Sequence, residues 1–315
     1  MTKQELLDCH QRIIPFVHNT AVLTSRSIDK EVNAQVFFKC ENFQRAGAYK
    51  IRGAANAILQ LSEEEKKRGV VTHSSGNFAQ ALSLAAQSLG VTAHIVMPNT
   101  APEVKKAGVR EYGGIIYECK PTVEARQSLA DEIGVKTGAT FVHPSNDNNV
   151  ILGQGTAALE LLEKQPDLDF IFCPVGGGGL IAGTALAAKY FADTCKVYGA
   201  EPYEVDDAYR SLVSDKIERN ETTNTIADGL KTMLGDKNFP IIRALVSGIV
   251  RVTEDEIIAA MKLVWERMKI IIEPSSSVTV AAVLKQVKEQ PEGFQNKKIG
   301  VIISGGNVDL SKLPF

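Results

Sequence analysis

Phe170-Ile171-Phe172-Cys173-Pro174-Val175-Gly176-Gly177-Gly178-Gly179-Leu180-Ile181-Ala182-Gly183 is the stretch that decides how this chain folds. Its near-continuous apolar start reads as a strand buried on both faces. Four glycines follow, and then an apolar helical pattern that runs to Phe191. With no Cβ at successive positions, backbone N–H groups can turn inward on one anion. The helix adds its free N–H groups and the positive end of its dipole, a combination that suits a phosphate. The competing reading is a flexible tight turn. The run lacks the Gly-Lys-Ser/Thr ending of a Walker A loop and the downstream acid of a dinucleotide fingerprint.

The same strand–turn–helix alternation extends in both directions. Strands are expected at Val36–Cys40, Gly69–Thr72, Ala93–Met97, Ile115–Tyr117, Phe141–Val142, Lys196–Ala200 and Ile299–Ile303. Helical patterns cover Phe78–Leu89, Val123–Ile133, Gly153–Leu162, Leu180–Phe191 and Glu254–Lys269. The last opens with Thr253 ahead of Glu254, Asp255 and Glu256, so a capping hydroxyl and acids sit at the positive helix end. Alternating strands and helices imply an α/β fold with parallel sheets. Ser211–Thr225 is polar and loop-like, and no repeat or linker marks a domain boundary.

The 315 residues are 44% hydrophobic and 23% charged, with a formal net charge of −2. This is an ordinary globular composition, and no basic tract marks a nucleic-acid or anionic-membrane surface. The N-terminus does not read as a secretory signal, and no stretch is apolar enough for a membrane span. A small-molecule partner is therefore expected. The cysteines at 9, 40, 119, 173 and 195 are odd in number and lack CxxC spacing, which favours buried thiols in a reducing cytoplasm.

Three further segments carry chemistry. In Lys39-Cys40-Glu41-Asn42-Phe43-Gln44-Arg45-Ala46-Gly47-Ala48-Tyr49-Lys50-Ile51-Arg52-Gly53, residue type alone would leave Lys50 on a solvated surface. A lysine held at a Gly-Ala-Tyr turn could instead form an imine with an aldehyde once burial or a nearby cation deprotonates it. Thr72-His73-Ser74-Ser75-Gly76-Asn77-Phe78 reads first as a helix N-cap, but its run of small polar residues would also hold a substrate carboxylate. Ser304-Gly305-Gly306-Asn307 follows a fully apolar strand and is equally well explained as a turn. Junctions after buried strands are where open α/β sheets bind ligands.

At these residues, and from about Val17 to Asp309, the chain resembles the fold-type II pyridoxal phosphate enzymes. The resemblance is closest to the serine racemase and serine/threonine dehydratase group. It implies a two-domain α/β fold like that of the tryptophan synthase β chain, each domain a parallel-rich twisted sheet flanked by helices. Residues 1–64 and 147–315 would form the large cofactor-binding domain and residues 65–146 the small mobile one. Lys50 matches the Schiff-base lysine and Tyr49 its aromatic neighbour. Gly176, Gly177, Gly178 and Gly179 match the phosphate loop, Asn77 the partner of the pyridine hydroxyl, and Gly229 the glycine on the opposite ring face. Glu273 stands where the family places a carboxylate, and Ser304 matches the residue facing the pyridine nitrogen. A neutral serine there favours β-elimination over a long-lived carbanion.

The resemblance also assigns the substrate side. Ser74, Ser75, Gly76 and Asn77 match the carboxylate loop, Thr232 a substrate-contacting serine, and Arg126 an arginine that meets a second carboxylate. Lys50 would take the α-proton, and Ser75 matches the acid/base on the opposite face. Dehydration of serine, threonine or 3-hydroxyaspartate to a 2-oxo acid and ammonia is implied, with racemisation open to the same site. Glu201, the Val205 carbonyl and Asp207 match a divalent-cation site for Mg²⁺, or Ca²⁺ or Mn²⁺, where the residues alone would read as an acidic loop. A homodimer is usual in the group. Two departures stand out: Ala48 replaces the usual serine beside the lysine, and Phe78 replaces a histidine after the Ser-Gly-Asn turn. The match also ends without the regulatory module of biosynthetic threonine deaminases. A β-replacing synthase of the cysteine synthase kind and a non-catalytic cofactor-binding protein are the alternatives.

Overall fold

Residues 1–101 and 103–315 are described by a computed structural model. Ten strands form two sheets: β1 Val22–Leu23, β2 Gln35–Cys40, β3 Val70–His73, β4 Ala93–Pro98, β5 Ile115–Cys119, β6 Thr140–Phe141, β7 Phe170–Pro174, β8 Lys196–Pro202, β9 Val246–Val252 and β10 Lys298–Ile303. The larger sheet runs β1-β2-β10-β7-β8-β9 and the smaller β5-β4-β3-β6. Every pairing is parallel except β1 with β2.

The Phe170–Pro174 strand shows why the larger sheet is buried on both faces. Side chains alternate across a strand, so Phe172 joins Phe38, Val301 and Ile303 in one core while Ile171 and Cys173 enter the other. Phe172 stacks on Tyr198 with ring centroids 5.3 Å apart. Helices Glu254–Met268 and Pro274–Glu289 cover that face, and Lys50–Leu59, Asn148–Lys164 and Gly179–Phe191 cover the other. Two of these approach very closely: a Cβ on Gly155 would lie 2.7 Å from the Gly183 carbonyl oxygen. The second core continues into the smaller sheet through Val70, Ile95 and Met97.

The Thr253 cap forms as expected, with Thr253 Oγ1 accepting from Glu256 N at 3.2 Å and the Glu256 carboxylate accepting from Thr253 N at 2.7 Å. Several elements escape the sequence pattern, among them the short helices Arg26–Val32, Glu63–Arg68 and Phe239–Leu245, and three more show why. β9 is interrupted by Ser247, Gly248 and Arg251, and β1 has only two residues. The Pro274–Glu289 helix opens with Pro274 and three buried serines, so its inward face reads as polar in sequence. The Ser211–Thr225 segment is not all loop, because Asp207–Ser214 is helical.

Beneath the Lys50–Leu59 helix lies a buried ion network. Arg52 Nε donates to Glu41 Oε2 at 2.7 Å, and its two terminal nitrogens reach Glu160 at 2.8 and 2.7 Å. Lys39 Nζ closes the set on Glu160 Oε2 at 2.6 Å. All four side chains are essentially inaccessible to water. With two charges of each sign the network is neutral, which is the condition for holding ions in a low-dielectric interior.

Candidate active site

Segments leaving β2, β3, β7 and β10 at their carboxyl ends converge around Lys50. Lys50 opens its helix there, half-buried, with Nζ donating to the Pro144 carbonyl at 3.1 Å. The ammonium lies 4.9 Å from the Tyr49 ring centre and 5.8 Å from that of Phe78. Burial pushes its pKa down to about 8, with the Glu273 carboxylate acting in the opposite direction. A lysine so placed has a nucleophilic amine near neutral pH. Phe78 supplies apolar wall where a histidine would have added a polar group.

The glycine run connects β7 to the Gly179–Phe191 helix. Gly178 adopts φ +81°, and a Cβ there would lie 2.6 Å from Leu234 Cδ2 and 2.7 Å from Asn238 Oδ1. Only glycine meets both demands. Gly176 abuts the Gly229 carbonyl, and Thr232 Oγ1 stands 3.2 Å from where a Gly177 Cβ would be. Gln154 Oε1 is buried with no hydrogen-bond partner, 2.6 Å from the Cβ position of Gly179. The orphaned Gln154 oxygen fits a bound water, while the side-chain-free helix N-terminus beside it offers its N–H groups to an anion such as a phosphate.

Opposite the cradle, Asn77 Nδ2 donates to both Glu273 oxygens, at 2.9 and 3.0 Å. Asn307 supports the pair, its N–H reaching Glu273 Oε2 at 3.2 Å and its amide reaching Asn77 Oδ1 at 3.0 Å. Burial, then repulsion from Asp228, raises the Glu273 carboxyl to about 7, against the Asn77 hydrogen bond. Ser304 is buried and sits 3.0 Å from Ser276 Oγ. Its carbonyl accepts from Tyr49 N at 3.0 Å, which ties the β10 exit to the lysine turn. Ser276 Oγ accepts from Gly305 N at 2.8 Å and donates its one proton to the Gly305 carbonyl at 2.8 Å, so in the pair with Ser304 the Ser304 hydroxyl is the donor.

Ser74, Ser75 and Gly76 form the half-buried turn into the Asn77–Ser88 helix. Arg126, in the Val123–Thr137 helix, is half-buried and precedes Gln127, whose amide bonds His73 at the exit of β3. The Arg126 guanidinium makes one hydrogen bond among the described residues, from Nε to Thr122 O at 3.3 Å, and no carboxylate there pairs with it. The neighbouring His73 bonds Gln127 Oε1 at 3.0 Å and packs 5.9 Å from His143.

The acidic segment is a separate feature. Glu201 and Asp207 are fully buried, and Val205 between them is too. Burial, then the charge of Asp207, pushes Glu201 well up, and burial raises Asp207 to about 6. Asp206 is engaged elsewhere, by Arg210 at 2.7 Å and Arg251 at 2.9 Å. Among the described residues no three His, Cys, Asp or Glu side chains gather as a metal cluster. Two carboxylates raised by burial are nonetheless a donor set that a hard cation would satisfy.

Several residues here had no sequence signal. Asn238, His143, Ser145, Gln154 and Ser276 become site residues only through tertiary contacts. His143 Nδ1 accepts from Ser145 N at 3.1 Å and Asn146 N at 2.8 Å, which places its proton on Nε2. Burial, then His73, Lys50 and Lys237, push this imidazole down to about 4, so it is neutral.

Comparison with known proteins places this geometry. A family described as pyridoxal-phosphate dependent enzyme matches residues 13–305. The chain is 49% identical over 315 residues to serine racemase of Dictyostelium discoideum, covering 99% of this chain and 97% of that protein. The crystal structure of that racemase superposes with a TM-score of 0.94. Beta-hydroxyaspartate dehydratase of Paracoccus denitrificans is 46% identical over 314 residues, covering 100% of this chain and 98% of the relative. The processed form of threonine deaminase isoform 2 from Solanum lycopersicum is 34% identical, with a TM-score of 0.92 and coverage of 99% of this chain and 92% of that one.

Proposed function

This chain belongs to the family of pyridoxal-phosphate dependent enzymes, and from that premise we propose that it dehydrates and deaminates a small β-hydroxy amino acid. Racemisation is a second outcome of the same site. The observation that carries this reading is Lys50, its amine brought to about 8 beside a glycine cradle built for an anion. When bound, the cofactor supplies the electron sink that lets an α-proton leave and a β-hydroxyl follow.

The chain's own residues divide the remaining work. The N–H groups of Gly176, Gly177, Gly178 and Gly179 would hold the phosphate, and the Lys50 amine would anchor the cofactor. Tyr49 and Gly229 flank it, and Ser304 meets its ring nitrogen with a neutral hydroxyl. Asn77, oriented by Glu273, bonds the pyridine hydroxyl. Ser74, Ser75, Gly76 and Asn77 orient the substrate carboxylate, with Thr232 at the mouth. The freed Lys50 amine takes the α-proton from one face, and the Ser75 hydroxyl returns or removes a proton on the other. Residues 65–146 act as a small domain that closes on residues 1–64 and 147–315 and excludes water. Lys105 and Asp228 pair across that junction. The assembly is a homodimer in the cytoplasm, a compartment that suits five free cysteines.

The unpaired Arg126 guanidinium favours a substrate with a second carboxylate, namely a 3-hydroxyaspartate. An ammonia-release screen over L- and D-serine, threonine and the 3-hydroxyaspartates tests both readings. Replacing Arg126 by Ala is expected to lower kcat/KM on hydroxyaspartate by roughly 30- to 150-fold, the loss of about 2–3 kcal/mol from a charge-assisted contact. Serine turnover should stay within about threefold. Equal losses on both substrates would remove Arg126 from substrate recognition, and no ammonia from any of them would end the dehydratase reading.

Glu201, the Val205 carbonyl and Asp207 hold a divalent cation, Mg²⁺ being the first choice. Chelation should therefore lower the melting temperature by about 5 °C, from the roughly 2–3 kcal/mol that a ligand at 100 times its Kd contributes. Added Mg²⁺ should restore it. A melting temperature and activity indifferent to chelator would sink the assignment.

A further inference from the structure

Asn238 has no accessible surface, yet it lies in a polar loop and uses its whole side chain. Its Nδ2 donates to the Gly177 carbonyl at 2.8 Å and to the Ser145 carbonyl at 3.2 Å. Its Oδ1 accepts from Gly235 N at 3.1 Å. The first of these bonds turns the Gly177 carbonyl away from the anion cradle, which leaves the N–H groups of the run to face it. The second fixes the segment whose preceding carbonyl, that of Pro144, receives the Lys50 amine.

The third bond leads elsewhere. Gly235 follows Leu234, whose N–H donates to Asp207 Oδ2 at 3.1 Å. Asp207 is one of the two buried carboxylates of the acidic site. The Leu234 side chain also reaches Gly178, within 2.6 Å of where a Cβ would stand. One buried chain of contacts thus runs from Asp207 through the Leu234–Gly235 backbone to Asn238, and from there to the cradle and the lysine.

We propose that Asn238 is a positioning residue that holds the phosphate cradle and couples it to the state of the Glu201–Asp207 carboxylate pair. A cation on that pair draws Asp207 into its coordination and fixes the Leu234–Gly235 backbone. Asn238 passes that constraint to Gly177 and Ser145, so the cation tightens cofactor binding without touching the cofactor. This rests on the cofactor and cation sites proposed above.

The test titrates pyridoxal phosphate into full-length, cofactor-stripped protein and follows its visible absorbance, in Mg²⁺ and in chelator. Wild type should bind about threefold or more tightly in Mg²⁺. In Asn238→Ala, affinity should fall about tenfold, the usual loss when an outer-shell partner is removed, and the Mg²⁺ effect on affinity should vanish. The melting temperature of the cofactor-free variant should still rise with Mg²⁺, because Glu201 and Asp207 are intact. Asn238→Ser, whose hydroxyl is too short to span both carbonyls, gives the same readouts if the Ala variant is insoluble. A variant that keeps wild-type affinity, or keeps the Mg²⁺ effect on affinity, overturns the proposal. Wild type that binds no pyridoxal phosphate fails the cofactor reading instead. Wild type whose melting temperature ignores Mg²⁺ fails the cation reading, and with it the coupling.

Discussion

Lys50→Ala is expected to lose at least about three orders of magnitude in ammonia release, because one side chain anchors the cofactor and moves the α-proton. Borohydride should fix cofactor to wild type at Lys50 and leave the variant unlabelled. The fold should survive. Lys50 makes one hydrogen bond to protein, to the Pro144 carbonyl, and its burial disfavours the charged form. A melting temperature of the cofactor-free variant within about 2 °C of wild type is therefore expected. The pH dependence follows from the same burial. With its pKa at about 8, roughly a quarter of Lys50 is neutral at pH 7.5, against about 0.1% of an ordinary lysine. Capture of pyridoxal phosphate by the stripped protein should accelerate as pH rises through about 8 and then level. A rate still climbing tenfold per unit above pH 9 would show that Lys50 is an ordinary lysine. Label on another lysine would displace it altogether.

How much of this was legible in sequence depends on how local the determining physics is. The β7–glycine–helix junction is local: apolar run, missing Cβ atoms and helix start lie within one short segment. Its fold followed directly. Strands β2, β3, β4, β7, β8 and β10 were readable for the same reason, since burial on both faces leaves largely apolar runs. By contrast β5, at the edge of the smaller sheet, was readable only from its β-forming residues Ile115, Ile116 and Tyr117. β9 lies at the sheet edge, where Ser247 and Gly248 are tolerated, so its pattern dissolves. The Pro274–Glu289 helix was hidden because Ser276 and Ser277 are buried through hydrogen bonds to backbone carbonyls, of Gly305 and Glu273 respectively.

The site divides along the same line. Lys50, the Ser74–Asn77 turn and the glycine run announce themselves by neighbours in sequence, although a motif alone could not say that they meet. Asn238, His143 and Ser145 become site residues only because chain segments dozens of residues away, Gly177 for Asn238, His73 for His143 and Asn238 for Ser145, pack against them. Asn238 follows Asp236 and Lys237, and nothing in that string distinguishes it from a surface loop. Its burial is visible only after Gly177 and Ser145 are packed against it.

Arg52 is the other residue whose removal should be severe, and its effect is on the fold. It makes four hydrogen bonds to Glu41 and Glu160, at 2.7–2.8 Å, and one each to Thr156 Oγ1 and the His18 carbonyl. Arg52→Met keeps the volume but leaves two buried carboxylates facing one lysine. Breaking a buried pair from one side costs about 3–5 kcal/mol, which for a chain of this size is a fall of roughly 5–15 °C in melting temperature. The pH dependence identifies the cause. In the intact network burial pushes the Glu160 carboxyl up, but its bonds to Arg52 and the charges of Arg52 and Lys39 hold it below its ordinary value. Its stabilisation is therefore present above the unfolded-state pKa and lost as pH falls through the folded one. Without Arg52, burial wins, a carboxyl rises above its unfolded value, and the sign reverses. The deficit of the variant should be greatest near pH 8 and shrink toward pH 5, as the stranded acid takes up a proton. A simple loss of packing would give a deficit independent of pH. The network also underlies catalysis at one remove, because Arg52 sits half a turn beyond Lys50 and fixes the start of its helix. Cofactor affinity in Arg52→Met should accordingly fall in the same pH range in which stability does, and recover with it.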